Sequence, residues 1–265
     1  MKTLLAAPIA APIAALFAAY IAAPAARADP VDPQLVVASV TFGSGERVKG
    51  SGRIVEDLRT HSGFVAVHVA GPIDVELKAS DHDSVTVRID DNVASLVETR
   101  VDGGDRPTLE IGVRSGASFR TSRRPIVVVE FRTLSELVLR GSGSARADRI
   151  SADDFALSMS GSGDVRIDAL QARRFAAVLS GSGDLLVRGR ADQQAYRLSG
   201  SGDVDAGHLE GRSVQVSIAG SGDASVHATE ALDATIAGSG DVAYRGSPHV
   251  TQRIRGSGSV HRVRR

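Results

Sequence analysis

Seven Gly-Ser-Gly triplets run through the second half of the chain, beginning at Gly141, Gly161, Gly181, Gly200, Gly220, Gly238 and Gly256, so successive steps are 20, 20, 19, 20, 18 and 18 residues. A period of this size marks one supersecondary unit stacked on copies of itself, each burying its apolar face only against its neighbours. Upstream of the triplets lie Phe155-Leu157-Met159, Phe175-Ala177-Leu179, Gln194-Tyr196-Leu198, Val214-Val216-Ile218, Leu232-Ala234-Ile236 and Val250-Gln252-Ile254, every second residue in each case. Downstream come Val165-Ile167, Leu185-Val187, Val204-Ala206, Ala224-Val226 and Val242-Tyr244. Period-two alternation means half-buried strands and excludes helical repeats. Two strands and two bends in about 20 residues, repeated head to tail, stack in parallel, because equivalent strands of hairpins would alternate in direction. The expected fold is all-β: a parallel β-helix of roughly six or seven coils, 18–20 residues each, rising about 4.8 Å per coil.

Aromatic residues are only 4% of the 265, with no Trp, which suits a thin solenoid filled by small aliphatics. Lys+Arg and Asp+Glu are both 31, so no overall field recruits nucleic acid or an anionic membrane. Cysteine is absent, which removes disulfides and thiolate chemistry.

The remaining chain divides into three. Lys2, an apolar run from Leu4 to Ala23, and the small-residue pair Ala26 and Ala28 before Asp29 read as a signal peptide over residues 1–28. This places the protein in the periplasm or outside the cell, with no membrane span in the mature chain. Residues 29–60, with Pro30, Pro33 and two out-of-phase Gly-Ser-Gly triplets, read as a linker or irregular entry segment. Residues 61–132 carry strand candidates without the repeat and are expected to cap the end of the β-helix at 133–265, since an open strand edge invites aggregation.

The blocks Ser160–Asp164, Ser180–Asp184 and Ser199–Asp203, the Gly-Ser-Gly-Asp blocks ending at Asp223 and Asp241, and the closing Tyr244-Arg245-Gly246-Ser247-Pro248 resemble the bacterial family described as "putative auto-transporter adhesin, head GIN domain". The resemblance reaches Ile73-Asp74-Val75-Glu76-Leu77 and Val85-Thr86-Val87, so it spans roughly residues 60–263. It implies a parallel β-helix in the cell envelope and an adhesive role. Ser144 and Ser259 depart from it where inner repeats have Asp, as do Ala219 and Ala237 where others have Ser.

The blocks themselves permit several chemistries. Gly gives the corner its backbone freedom, Ser caps local N–H groups, and Asp bonds back to its own turn. Stacking also brings Asp164, Asp184, Asp203, Asp223 and Asp241 onto consecutive coils, where they repel unless solvated or bridged by a cation, so they are the candidate metal ligands. A polysaccharide-cleaving site would need two carboxylates made unlike by their surroundings, and this ladder is nearly uniform. His208 and His227, on neighbouring coils, form the one other metal or base pair. The reading is a non-enzymatic adhesion surface or envelope scaffold whose partner is an envelope, glycan or protein surface ligand. No catalytic residue, cofactor or nucleic-acid partner is expected. A polysaccharide-acting enzyme and a cation-binding envelope scaffold are the alternatives.

Overall fold

The computed structural model describes residues 47–263. The expected signal segment, its cleavage residues Ala26 and Ala28, and residues 29–46 of the entry segment lie outside the described residues.

The described residues are mostly strand and form a β-solenoid of about six turns. Strands Ile150–Gly161, Val165–Gly181, Leu185–Gly200, Val204–Gly220, Ala224–Gly238 and His249–Gly256 pair in parallel, each repeat on the next. Register holds identical triplet positions together: Gly161, Gly181, Gly200, Gly220, Gly238 and Gly256 form one vertical row. The inward residues of the period-two pattern then stack as columns. Leu137, Leu157, Ala177, Tyr196, Val216 and Ala234 make one such column, every member nearly or fully buried. In the adjoining column Phe155 stacks on Phe175 at 5.9 Å, and Phe175 meets Tyr196 edge-on at 5.8 Å. Gln194 is buried there too, and every polar atom is satisfied: Nε2 donates to the carbonyls of Ala191 and Leu209, and Oε1 accepts from the Tyr196 hydroxyl at 2.8 Å.

The two triplet glycines have steric rather than chemical reasons. Gly161 sits at φ +123°, which L side chains avoid, and a Cβ at Gly163 would collide with the Gly143 carbonyl of the coil beneath. The corner is closed by stacking backbones whose spacing leaves no room for a side chain.

The stretch 61–132 contributes both coils and cap, and its coils are threaded out of chain order. Ala66–Ala70 pairs in parallel with Glu136–Gly141 on one side and with Thr108–Val113 on the other. Asp74–Ala79 lies likewise between Ala145–Ala147 and Ile126–Phe131. The coil 66–79 is thus laid down first, the coil 108–131 is added beneath it, and the chain then crosses to build 136–147 above. Val67 sits between Leu109 and Leu137, so the aliphatic column runs unbroken through all three layers. At the crossing, the Asp83 carboxylate accepts the N–H groups of Gly63 and Arg132 and pairs with the Arg132 guanidinium at 3.0 Å.

The lower edge is blunted by reversing strand direction. Ser84–Asp90 runs antiparallel to Ile126–Phe131, Val97–Asp102 runs antiparallel to Thr108–Val113, and Ile54–Arg59 pairs antiparallel with Ser84–Asp90. Ile54–Arg59 is a regular strand inside the entry segment that the composition marks as irregular. A 3-10 turn, Asp91–Leu96, links two of these strands and buries Val93. At the upper end, among the described residues, His249–Gly256 and Val260–Arg262 pair only with the coils below them, and Ile254 is 38% exposed.

Candidate functional site

The Asp residues predicted from the blocks do stand in a single row. Each carboxylate reaches one coil further than its own turn: Oδ1 of Asp164, Asp184, Asp203 and Asp223 accepts the backbone N–H of Asp184, Asp203, Asp223 and Asp241, at 3.0, 2.9, 2.8 and 2.8 Å. The N–H of the residue after each Asp donates in turn to the carbonyl of the Asp one coil up, as Val165 does to Asp184 at 2.9 Å. The side chain therefore supplies an acceptor that the corner backbone lacks. Each carboxylate engages an amide donor, which offsets the like-charge contact along the row.

The row contains more members than the blocks reveal. The Asp74 carboxylate accepts the N–H of Ser144 at 2.9 Å, and the Ser144 hydroxyl accepts the N–H of Asp164 at 3.3 Å. Gly71-Pro72-Ile73-Asp74 is a degenerate Gly-Ser-Gly-Asp block, with Gly71 at positive φ three residues before the acid, as Gly161 is before Asp164. That spacing was the available signal. Arg124 lies 3.6 Å from the Asp74 carboxylate and also bonds the Ser142 carbonyl, so it caps the row with charge rather than standing free in solvent. At the other end both the N–H and the hydroxyl of Ser259 donate to Asp241, at 2.7 and 2.9 Å. Serine at 144 and 259 keeps the local bond without adding a charge.

A second titratable cluster was not legible in the sequence because its members come from the crossed layers. His68 lies between Glu110, 3.2 Å from Nδ1, and Glu136, 3.4 Å from Nε2, and Arg106 also pairs with Glu136. The hydrogen bond to Glu136, then the charges of both glutamates, outweigh burial and raise the imidazole above its ordinary value. The same bond, with the nearby Arg106, lowers Glu136. The arrangement is an ionic clamp across three layers.

No group of three or more His, Asp or Glu among the described residues is placed to hold a metal ion. Asp90 is buried, and neither carboxylate oxygen has a hydrogen-bond partner among the described residues. His208 and His227 line one groove with Glu210, Arg245 and Arg262, on a corner distinct from the Asp row.

A family sequence model described as "Putative auto-transporter adhesin, head GIN domain" matches residues 63–248. Among solved structures, a "putative adhesin" from Bacteroides fragilis NCTC 9343 is 22% identical, with a TM-score of 0.77 over 82% of this chain and 100% of that one. At that identity the likeness is one of fold alone. A "putative lipid binding protein" from Parabacteroides distasonis ATCC 8503 is 27% identical, with a TM-score of 0.70 over 83% of this chain and 100% of that one. A "putative adhesin" from the same strain is 26% identical, with a TM-score of 0.66 over 82% and 100%. No curated protein matches the chain.

Proposed function

This chain belongs to the family described as "Putative auto-transporter adhesin, head GIN domain", and from that premise we propose that it is a non-enzymatic binding surface of the bacterial envelope, exported to the periplasm or beyond. The observation that carries the reading is uniformity: the same side chains recur at the same corner on coil after coil, and the carboxylates there are already engaged by backbone amides. Catalysis by a carboxylate pair needs two members with different surroundings, whereas a periodic face suits a partner that makes the same contact many times. Export is supported by Lys2, the apolar run after it and the small residues Ala26 and Ala28.

The relative named for lipid binding raises a second occupant. One continuous cluster of buried side-chain columns runs through the described solenoid, which favours a surface ligand. Glycan and extracellular-matrix arrays probed with the full chain, with and without calcium, test the proposal. Binding independent of calcium supports it. Release of reducing sugar from a polysaccharide, or binding that disappears on chelation, overturns it in favour of an enzyme or a cation-dependent scaffold.

A further inference from the structure

Among the described residues, the register shifts of the repeat cluster at one corner and just beyond it. In the 19-residue step between Gly181 and Gly200, the register shifts where Ile167–Leu170 faces Val187–Gly189, so the lost residue lies there. The next step regains it where Leu186–Arg188 faces Asp205–His208. The first 18-residue step shortens where Ala206–Glu210 faces Val226–His227. The coil carrying Gly207, His208 and Glu210 therefore bulges between shorter coils, and a groove opens beside it. Its lining includes His208, Glu210, His227, Arg245, Arg262 and Val263.

The groove gathers four basic side chains and one acid, Glu210. Several arginines elsewhere along the coils pair with carboxylates: Arg146 and Arg166 with Asp168, Arg174 with Asp154, Arg212 with Glu230, Arg253 with Asp233. Among the described residues, no carboxylate pairs with His208, His227, Arg245 or Arg262. Arg245 donates only to the Gly207 carbonyl at 3.4 Å, and Arg262 to the Ser247 hydroxyl at 2.8 Å, so each guanidinium keeps further N–H donors available. Four consecutive coils each contribute one basic group to the lining, His208, His227, Arg245 and Arg262, about 4.8 Å per coil; Arg245 lies above His227 in the register, and the acid beneath His227, Glu210, is held by Arg190 at 3.4 Å.

We propose that this groove binds an extended acidic polysaccharide, whose regularly spaced carboxylates or sulfates meet the basic column coil by coil. The inference rests on the binding-surface reading and names its ligand class. A linear column favours a polymer over one phosphate, which would need donors converging on a point. Val263 is the one aliphatic side chain in the lining, too little for a lipid tail, and no Phe, Tyr or Trp is present as a platform for a base.

The test measures binding of the full chain to immobilised dextran sulfate, polygalacturonate, neutral dextran and phosphatidylglycerol vesicles. Wild type is expected to bind one or both acidic polymers, more weakly as salt rises, and to ignore neutral dextran. Arg245→Ala with Arg262→Ala should weaken binding by about tenfold, and Arg100→Ala with Arg120→Ala, which removes the same charge elsewhere, by less than about twofold. His208→Glu, at an exposed side chain, gives a second reading if the arginine pair proves needed for folding. Equal losses in the groove and control variants, preference for vesicles, or no binding to either acidic polymer would overturn the proposal. Array binding that the groove variants leave unchanged would sink this inference while the binding-surface reading stands.

Discussion

The coils from Ile150 onward and the stack formed by 66–79, 108–131 and 136–147 bury the same columns in the same parallel register, yet one is wound in chain order and the other is not. In the first, each strand finds its partner about 20 residues away; in the second, Val67 pairs with residues 42 and 70 positions distant, Leu109 and Leu137. Coil geometry thus fixes what a strand must present to its neighbours above and below, and leaves open where in the chain those neighbours come from. The crossed stack meets the same steric demand with fewer repeated signals. It adds local devices that the regular coils do without: the Asp83 clasp, the His68 clamp and a reversal to antiparallel strands that ends the stacking.

The largest effect expected tests whether the two stacks share one core. Leu179→Asp places a charge inside the regular column and should cost more than about 4 kcal/mol, abolishing cooperative unfolding. Val67→Asp should do the same, because Val67 is equally buried between crossed layers. A Val67→Asp protein that melts near wild type would mean that the crossed coil is a dispensable cover.

Next in size is the glycine contrast. Gly163→Ala forces a methyl group against the Gly143 carbonyl and should cost about 2–3 kcal/mol. Gly104→Ala, in the antiparallel cap with open space around it, should shift stability by less than about 0.5 kcal/mol. Chemical denaturation of the pair reads the difference directly, and equal midpoints would show that the corner backbone yields.

The crossed layers should carry a pH dependence set by the His68 clamp, whereas the shifted groups of the regular coils, such as Asp154 and Asp168, include no histidine. His68 has a folded value raised above its unfolded one, so its contribution is complete below about pH 6.5 and fades as pH rises through the folded value. Glu136 is lowered, so its contribution is present above about pH 4.5 and is lost as pH falls through its own folded value. The clamp with Glu110 and Arg106 is therefore strongest between these limits. His68→Gln should destabilise by about 1 kcal/mol near pH 5.5 and by clearly less near pH 8.5. Thermal melts showing the same loss at both would mean that the imidazole contributes by packing alone.

The smallest effect belongs to the Asp row. Asp184→Asn with Asp203→Asn retains an oxygen acceptor for the next coil and removes two like charges, so stability should be unchanged or slightly higher, with no calcium dependence in either protein. A calcium-dependent rise of several degrees in the wild-type Tm, absent from the double variant, would convert the row from a fastening device into a cation site.

Much of the regular half was legible because its partners are neighbours in sequence. The triplet spacing and inward pairs such as Phe175-Leu179 and Val165-Ile167 identify the strands and their parallel stacking, since period two and period 20 are the projections of pleat and coil onto the chain. The row of Asp164 to Asp241 followed from the same spacing. The bond made by each Asp did not: the choice between its own turn and the next coil depends on which amide lies within about 3 Å, a matter of three-dimensional stacking. The sequence determined a parallel solenoid with acids at one corner. Tertiary structure alone decided the order of layers 108–131, 66–79 and 136–147, the Glu110–His68–Glu136 clamp and the basic groove at His208, because each depends on which segments meet across long stretches of chain. A residue's own pattern records the face it turns to the core, while its vertical neighbour is set by loop crossings that leave no periodic mark.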